Sequence, residues 1–180
     1  MKDKFAIYVY RPSECTNELL DRFCEIVNAG GKVNPLSTDW LRDHGLRLAF
    51  VCEDSGGAAN VVAVGGLKAP NDSYHKRCFH DAGFPEKWIE YPVEFGWVRA
   101  TKTGGMTARV TNALFDYPEG AGPLFATVRT GNEYMNGPLA ALGFEALGKP
   151  YRSKEHPGEY VRLFVRAPLP ARLPGSSEGS

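Results

Sequence analysis

Apolar residues along this chain recur with two periods, one typical of β-strands and one typical of α-helices. Short apolar runs that are bounded by Gly, Pro or polar turn residues predict strands. They lie at residues 5–10, 46–53, 61–67, 93–100, 124–129 and 160–166, and a shorter run begins at Phe144. Helical spacing follows the first strand from Leu19 to Val27, and it recurs over residues 108–115 and 132–142.

The order of these elements combines antiparallel hairpins with strand–helix–strand units. It predicts an α/β or α+β fold, with helices on the faces of the sheet. We expect one domain over residues 1–166. The polar segment 69–92, with a short helix around Tyr74 to His80, is longer than a hairpin loop requires and is typical of a lid or binding loop. Residues 167–180, rich in Pro, Gly and Ser, are expected to form a disordered tail.

Composition narrows the class of protein. The chain has 180 residues, of which 43% are hydrophobic and 23% charged, and this is typical of a globular domain. Lys plus Arg and Asp plus Glu both number 21, so the net charge is zero and a domain-wide grip on nucleic acid is not expected. No apolar run approaches the ~18 residues that cross a bilayer. The N-terminus lacks a secretory pattern, and the four cysteines include no CxxC pair, which predicts reduced thiols in a cytoplasmic protein.

A strand, a glycine-rich turn and a helix follow one another in the segment VEFGWVRATKTGGMTARVTNALF. The amides at a helix N-terminus suit an anion such as a pyrophosphate, and the helix dipole adds to that attraction. Gly104 and Gly105 allow a close approach to the backbone, and Lys102 adds a positive charge at the turn. Many turns of this kind bind nothing, so the segment alone leaves both interpretations open.

Three segments in order resemble the GNAT (Gcn5-related) acyl-CoA N-acyltransferase superfamily, over about residues 60–166. The family's coenzyme loop, Q/R-x-x-G-x-G/A, corresponds to residues 102–107, where Lys102 replaces Gln or Arg, Gly105 matches and Thr107 replaces the last Gly or Ala. LFATVRTGN resembles the family strand that ends in a coenzyme-binding Asn. LAALGFEALGKPY closely resembles the family's "lGFe..G" segment, and this third match is the most diagnostic.

The resemblance implies an α/β (α+β) fold with a mixed, mostly antiparallel sheet of six or seven strands and helices on both faces. The sheet would be splayed at its centre, with pantetheine lying between strands 93–100 and 124–129. Acetyl-CoA, or another acyl-CoA, is the implied co-substrate. Its pyrophosphate would rest on the amides from Gly104 to Thr107, with the side chain of Met106 packed inward. The implied coenzyme contacts are Trp97, Val98, Lys102, Gly104, Gly105, Met106, Thr107, Phe125, Ala126, Thr127 and Asn132.

Catalysis by such a protein requires a base for the acceptor amine and a proton source for the departing thiolate. Glu94 lies where GNAT enzymes often carry a Glu, although a salt-bridged strand Glu is the alternative. Leu139 occupies the usual position of the Tyr acid, so Tyr134 becomes the candidate acid, with Tyr151 as a second nearby Tyr. Acceptor contacts are expected at Lys68, Tyr74 and Tyr91.

The resemblance therefore implies transfer of an acetyl or other short acyl group from coenzyme A to a primary amine of a small molecule or protein, by direct attack. A non-catalytic module that binds acyl-CoA or a partner protein is one alternative. An acyltransferase acting on nucleic acid is another, which the basic run His75-Lys76-Arg77 keeps open. His75, Cys78 and His80 are of metal-ligating types, but no second cluster completes a zinc site, so no metal is expected. A homodimer is left open.

Overall fold

One seven-stranded sheet forms the centre of the molecule, in the order β1-β2-β3-β4-β5-β7-β6. The structure is a computed structural model, which describes residues 4–31, 34–54 and 57–170. All neighbouring strands pair antiparallel except β4 and β5, which are parallel. The predicted fold class is therefore confirmed. The strands are β1 Phe5–Tyr10, β2 Gly45–Glu53, β3 Val61–Lys68, β4 Val93–Ala100, β5 Leu124–Arg129, β6 Glu145–Arg152 and β7 Tyr160–Arg166.

Six α-helices accompany the sheet within the described residues. They are α1 Asn17–Asn28, α2 Thr38–His44, α3 Asp72–Ala82, α4 Met106–Phe115, α5 Pro118–Ala121 and α6 Glu133–Ala141. Side chains cap three of them, since Thr16, Ser37 and Asn71 accept hydrogen bonds from amides of the first turns of α1, α2 and α3. None of the described helices is long and apolar enough to cross a membrane.

The helices cover both faces of the sheet because strand side chains alternate in direction. On one face, Phe23 of α1 packs with Phe50 and Trp97, and α3 packs on Phe125 and Leu163. On the other face, α4 and α6 share a core cluster with residues of β2 to β5 and β7. Neighbouring residues of one strand thus belong to different cores, which fixes the register of the sheet.

A β-bulge bends β4 at its middle. Gly66 of β3 pairs with Gly96, but Val64 pairs with Arg99, so one extra residue of β4 is accommodated between them. Trp97 takes a left-handed conformation there, with φ of 56°. A Cβ on Gly66 would lie 2.7 Å from the Trp97 ring, so β3 needs a glycine opposite the bulge.

Strands β4 and β5 part after a short contact. Only two residue pairs join them, Val93 with Leu124 and Glu94 with Phe125. Beyond these pairs β4 continues along β3 to Ala100, and β5 continues along β7 to Arg129. An opening between the two strands is the result, on the carboxyl side of Glu94.

The segment 69–92 is more regular than the sequence indicates. Its helix α3 extends beyond the predicted limits of Tyr74 and His80, and a 3-10 turn follows at Lys87–Glu90. His75, Cys78 and Phe79 are buried, so this helix is a packed part of the core. A role over the acceptor stays a prediction. Of the predicted tail, residues 171–180 lie outside the described part of the chain.

The "lGFe..G" segment has a clear structural basis. Gly143, with φ of 82°, ends α6, and the amide of Phe144 donates to the carbonyl oxygen of Leu139 at 3.0 Å. Phe144 is buried, and its ring packs against Phe95. Gly148, with φ of 70°, lies against the end of α3, where a Cβ would overlap the carbonyl oxygen of Ala82.

Gly148→Ala is therefore expected to destabilise the protein more than Gly158→Ala, which is a matched control. Both glycines have a positive φ, but nothing lies within 4 Å of a Cβ at Gly158. Strain alone predicts a loss of about 1 kcal/mol for the control, and overpacking against α3 adds about 1–3 kcal/mol at Gly148. Urea unfolding measures the difference, and equal losses would show that β6 and α3 do not meet as closely as described.

Candidate functional site

A buried carboxylate lies where β4 and β5 part. Glu94 is the last residue of β4 that pairs with β5, and only 3% of its surface is exposed. Its side chain leaves the sheet on the face that α3 covers, since it contacts Tyr74 of that helix. A buried carboxylate requires partners to offset the loss of its hydration.

Three side chains from three different elements supply those partners. Lys68 Nζ of β3 lies 3.2 Å from Oε2 of Glu94. Tyr74 donates from its hydroxyl to Oε1 at 3.0 Å, and Thr127 of β5 donates to the same oxygen at 3.4 Å. The Tyr74 and Thr127 hydroxyl oxygens are themselves 2.9 Å apart. We call these four residues the Glu94 cluster.

The electrostatics of the cluster favour a neutral phenol beside the carboxylate. Burial, and next the charge of Glu94, raise the pKa of Tyr74 well above its usual value of 10. The phenol therefore keeps its proton and acts as a hydrogen-bond donor to Glu94. Lys68 is held on its other side by Trp97, since its Nζ lies 4.8 Å from the centre of the indole ring.

The glycine-rich turn leads into α4, as the sequence predicts. Gly104 and Gly105 both have a positive φ, of 91° and 79°, and Gly105 is the N-cap of the helix. No side chain caps its first turn, which contains no acidic residue. The amides from Gly104 to Thr107 are therefore available to an anion. Met106 packs its side chain into the core, so only its backbone can contact a ligand.

Lys102 lies at the same turn, but its ammonium is already paired with a carboxylate. Its ammonium forms an ion pair with Glu53, to which Lys4 also binds at 2.6 Å. Hydrogen bonds from Lys102 and Lys4 lower the pKa of Glu53 to about 2. Lys102 would have to leave Glu53 before it could pair with a phosphate.

The other residues predicted to contact the coenzyme lie on β4, on β5 or at the start of α6. Phe125 and Ala126 are buried, and Trp97 packs its ring on α1 and Lys68. Val98 is half-buried after the bulge. Asn132 is the N-cap residue of α6, and its amide donates to the carbonyl oxygen of Arg129 at 2.9 Å.

Tyr134 and Tyr91, both predicted site residues, are not among the partners of Glu94. Tyr134 is 89% exposed in the first turn of α6, and Leu139 is fully buried in the core. Tyr91 stacks its ring on Phe79 at 5.9 Å, and its carbonyl oxygen accepts from His75. The structure thus brings Lys68, Tyr74 and Thr127 to Glu94. Nothing in the sequence signals that Tyr74 takes this place and Tyr134 does not.

The potential metal ligands do not converge. His75 is buried, and its ring stacks on Phe125 with 4.7 Å between the ring centres. Cys78 is also buried, whereas the side chain of His80 is 74% exposed. Across residues 4–31, 34–54 and 57–170, no three His, Cys, Asp or Glu side chains form a group that could hold a metal ion.

No protein-family model and no curated protein matches this sequence. Solved structures do align with it. A GNAT-family acetyltransferase from Bacillus cereus is 12% identical and aligns over 92% of this chain and 99% of its own, with a TM-score of 0.57. The yncA protein from Salmonella typhimurium, solved with its cofactor acetyl-CoA, is 12% identical. It aligns over 97% of this chain and 99% of its own, with a TM-score of 0.63. The ribosomal-protein-S18-alanine N-acetyltransferase from Escherichia coli is 10% identical. It aligns over 97% of this chain and 100% of its own, with a TM-score of 0.58.

The sheet order, the parted strands and these alignments define the class of fold. The chain has the fold of the GNAT acyl-CoA N-acyltransferases, and the resemblance found in the sequence is confirmed at that level. At such low identity the likeness establishes the fold alone, and the activity has to be argued from the site.

The burial of His75 leads us to expect that the free energy of unfolding depends on pH. Burial lowers the pKa of His75 below its usual 6.5. Since the unfolded chain then takes up a proton first, stability falls as the pH drops below about 6.5. His75→Phe should flatten that loss while it keeps the stack on Phe125.

Phe23→Leu, at a fully buried ring of α1 that does not ionise, is the control and should lower the free energy of unfolding with its pH dependence unchanged. Urea unfolding at pH values from 7.5 to about 5 measures both variants. Glu53 titrates at lower pH and does not interfere in this window. An unchanged slope in His75→Phe would contradict the assignment.

Proposed function

We propose that this protein is an N-acyltransferase that moves an acetyl or other short acyl group from coenzyme A to a primary amine. The observation that carries the proposal is the opening between β4 and β5, which has a buried carboxylate at its closed end. A glycine turn with uncapped amides adjoins the other end of β4, at the start of α4. The likeness to yncA, which was solved with acetyl-CoA, supports the same choice.

The parted strands offer backbone groups to a ligand. Beyond Glu94, β4 pairs with β3 on one side only, and the same holds for β5 with β7. An extended ligand with amide groups, such as pantetheine, can hydrogen-bond to these edges like an added strand. Its pyrophosphate would then rest on the amides from Gly104 to Thr107, where the dipole of α4 favours negative charge.

Glu94 is the base of the proposed reaction. An amine is protonated at neutral pH and must lose a proton before its nitrogen attacks the thioester carbon. Glu94 can receive this proton directly or through a water molecule, while Lys68, Tyr74 and Thr127 hold the carboxylate in place. A thiol has a pKa of about 8.5, so the thiolate can leave without a Tyr at position 139.

The thiol of Cys78, beside Tyr74, is a poor candidate for carrying the acyl group, and this favours direct attack of the amine on acyl-CoA. Cys78 is buried, and burial raises the pKa of its thiol to about 11. Thiolates, not thiols, are the nucleophiles that form acyl-enzymes. We therefore propose transfer in a ternary complex of enzyme, acyl-CoA and amine, without an acyl-cysteine.

Binding of acetyl-CoA is the first testable consequence, and isothermal titration calorimetry measures it. We expect a Kd below about 1 mM, and Gly105→Ala should weaken binding about tenfold because its Cβ would project from the turn toward the phosphates and strain a positive φ. Gly158→Ala is the control with the same backbone strain at a distant turn. Absence of acetyl-CoA binding to the wild type would end the proposal.

Glu94→Gln tests the base. It keeps the shape of the side chain and removes its ability to take up the amine proton, so kcat should fall by about 100-fold or more. Release of free CoA with a panel of primary amines measures the rate, and calorimetry should show unchanged acetyl-CoA affinity. Glu86→Gln makes the same change at an exposed carboxylate and should have no effect. Full activity in Glu94→Gln would remove Glu94 from the mechanism.

A second candidate, a non-catalytic acyl-CoA-binding module, has one observation in its favour. Both oxygens of Glu94 already have partners, in Lys68 on one side and in Tyr74 and Thr127 on the other. The same two measurements separate the candidates, because a binding module would bind acetyl-CoA and release no CoA with any amine.

A further inference from the structure

The side chain of Lys68 ends where β4 and β5 begin to part. Its outer carbons lie over Gly96 of β4, because a Cβ on Gly96 would be 3.2 Å from Lys68 Cε and 3.4 Å from Nζ. The last pair between β4 and β5 is Glu94 with Phe125, so Gly96, two residues further on, already belongs to the opening. The ammonium of Lys68 is therefore placed at the closed end of the opening.

Two neighbours hold this ammonium in position. Its Nζ lies 3.2 Å from Oε2 of Glu94 and 4.8 Å from the centre of the Trp97 indole ring. A general base acts within hydrogen-bond reach, about 2.6–3.2 Å, of the group whose proton it takes. Lys68 therefore already has the arrangement with Glu94 that an acceptor amine needs before it can attack.

The proposed path of the coenzyme brings a thioester to the same place. With the pyrophosphate at the start of α4 and pantetheine along the strand edges, the acyl end points toward Glu94. Two groups that a protein holds side by side react as if within one molecule, with effective concentrations on the order of 10⁵ M in the best cases. The amine of Lys68 would therefore compete with any acceptor from solution.

We propose that Lys68 is a modification site, which the protein acylates on itself from acyl-CoA, and this inference rests on the proposed function. Nζ of Lys68 forms a bond to the acyl carbon, the carbon–sulfur bond breaks, and the bonding electrons go to sulfur. The nitrogen loses two protons in all. Glu94 accepts the first and passes it to solvent, and the second neutralises the CoA thiolate.

The modification changes the charges of the Glu94 cluster. Acylation of a lysine removes its charge and its ability to form a salt bridge. Glu94 would lose its ammonium partner and keep the hydrogen bonds from Tyr74 and Thr127. Because the product amide cannot accept a second acyl group in this way, the reaction should stop after one acyl group per chain.

Peptide mass spectrometry of the wild-type protein tests the proposal, after incubation with acetyl-CoA and no added amine. Hydroxylamine treatment removes acyl groups from thiols and leaves amides intact. Two lysines are internal controls, since Lys87 pairs with Glu90 at 3.8 Å and Lys76 lies 4.7 Å from the ring centre of Trp88. Each thus has one of the two neighbours of Lys68. We expect Lys68 to be acetylated at least about tenfold faster than either, although its side chain is 18% exposed and that of Lys87 is 38% exposed.

Three variants assign the step to its residues. Lys68→Arg keeps a positive charge beside Glu94 but removes the nucleophilic amine, so the single equivalent of CoA that is released without an acceptor should be lost. Lys87→Arg makes the same change at the exposed pair with Glu90 and should retain that release. Glu94→Gln should slow acetylation of Lys68 by about 100-fold or more. Calorimetric binding of acetyl-CoA shows that each variant is folded.

The outcomes separate this inference from the proposed function. Failure of acetyl-CoA to bind the wild type would overturn both. Transfer to added amines while Lys68 is acetylated no faster than Lys76 and Lys87 would leave the acyltransferase in place and overturn the inference. Acetylation of Lys68 that Glu94→Gln does not slow, or whose rate per chain falls when the protein is diluted, would also overturn it.

Discussion

The parting of β4 and β5 is the constraint on which the rest of this structure depends. Two parallel pairs, at Val93 and Glu94, join the two halves of the sheet, whereas the antiparallel neighbours pair over most of their length. The bulge at Trp97 bends β4 where the separation begins. Buried backbone amides and carbonyls that lose a strand partner must find another, in water or in a ligand. The sheet therefore has two unpaired strand edges, which can hydrogen-bond to an extended, amide-containing molecule.

Glu94 places a buried carboxylate at the point where the two strands part. A carboxylate that is 3% exposed is costly unless several groups compensate it, and here an ammonium and two hydroxyls do so. Each donor comes from a different element, so the site can form only after β3, β5 and α3 have packed together. Helix α3 thereby has two roles, since it completes the core over Phe125 and also supplies Tyr74.

The alignments with solved structures show how little of the sequence this fold needs. Structures that are 10–12% identical align over more than 90% of this chain. Alternation of apolar residues on strands and a few glycines at turns are enough to specify the architecture, because many side chains can fill a core of the same shape. The side chains around Glu94 are not determined in that way.

Local pattern alone determined much of this protein. The sequence predicts β1, β4, β5 and β7 to the residue, and it predicts the glycine turn before α4, because period-two alternation and glycine conformations are properties of neighbouring residues. Only tertiary structure decided the partners of Glu94, which stand 20 residues away at Tyr74 and 33 away at Thr127, and the pairing of Lys102 with Glu53, 49 residues away. It also decided that Tyr134 points to solvent and that α3 belongs to the core. Contacts of this kind depend on how the chain returns to itself, and no spacing along the sequence encodes them.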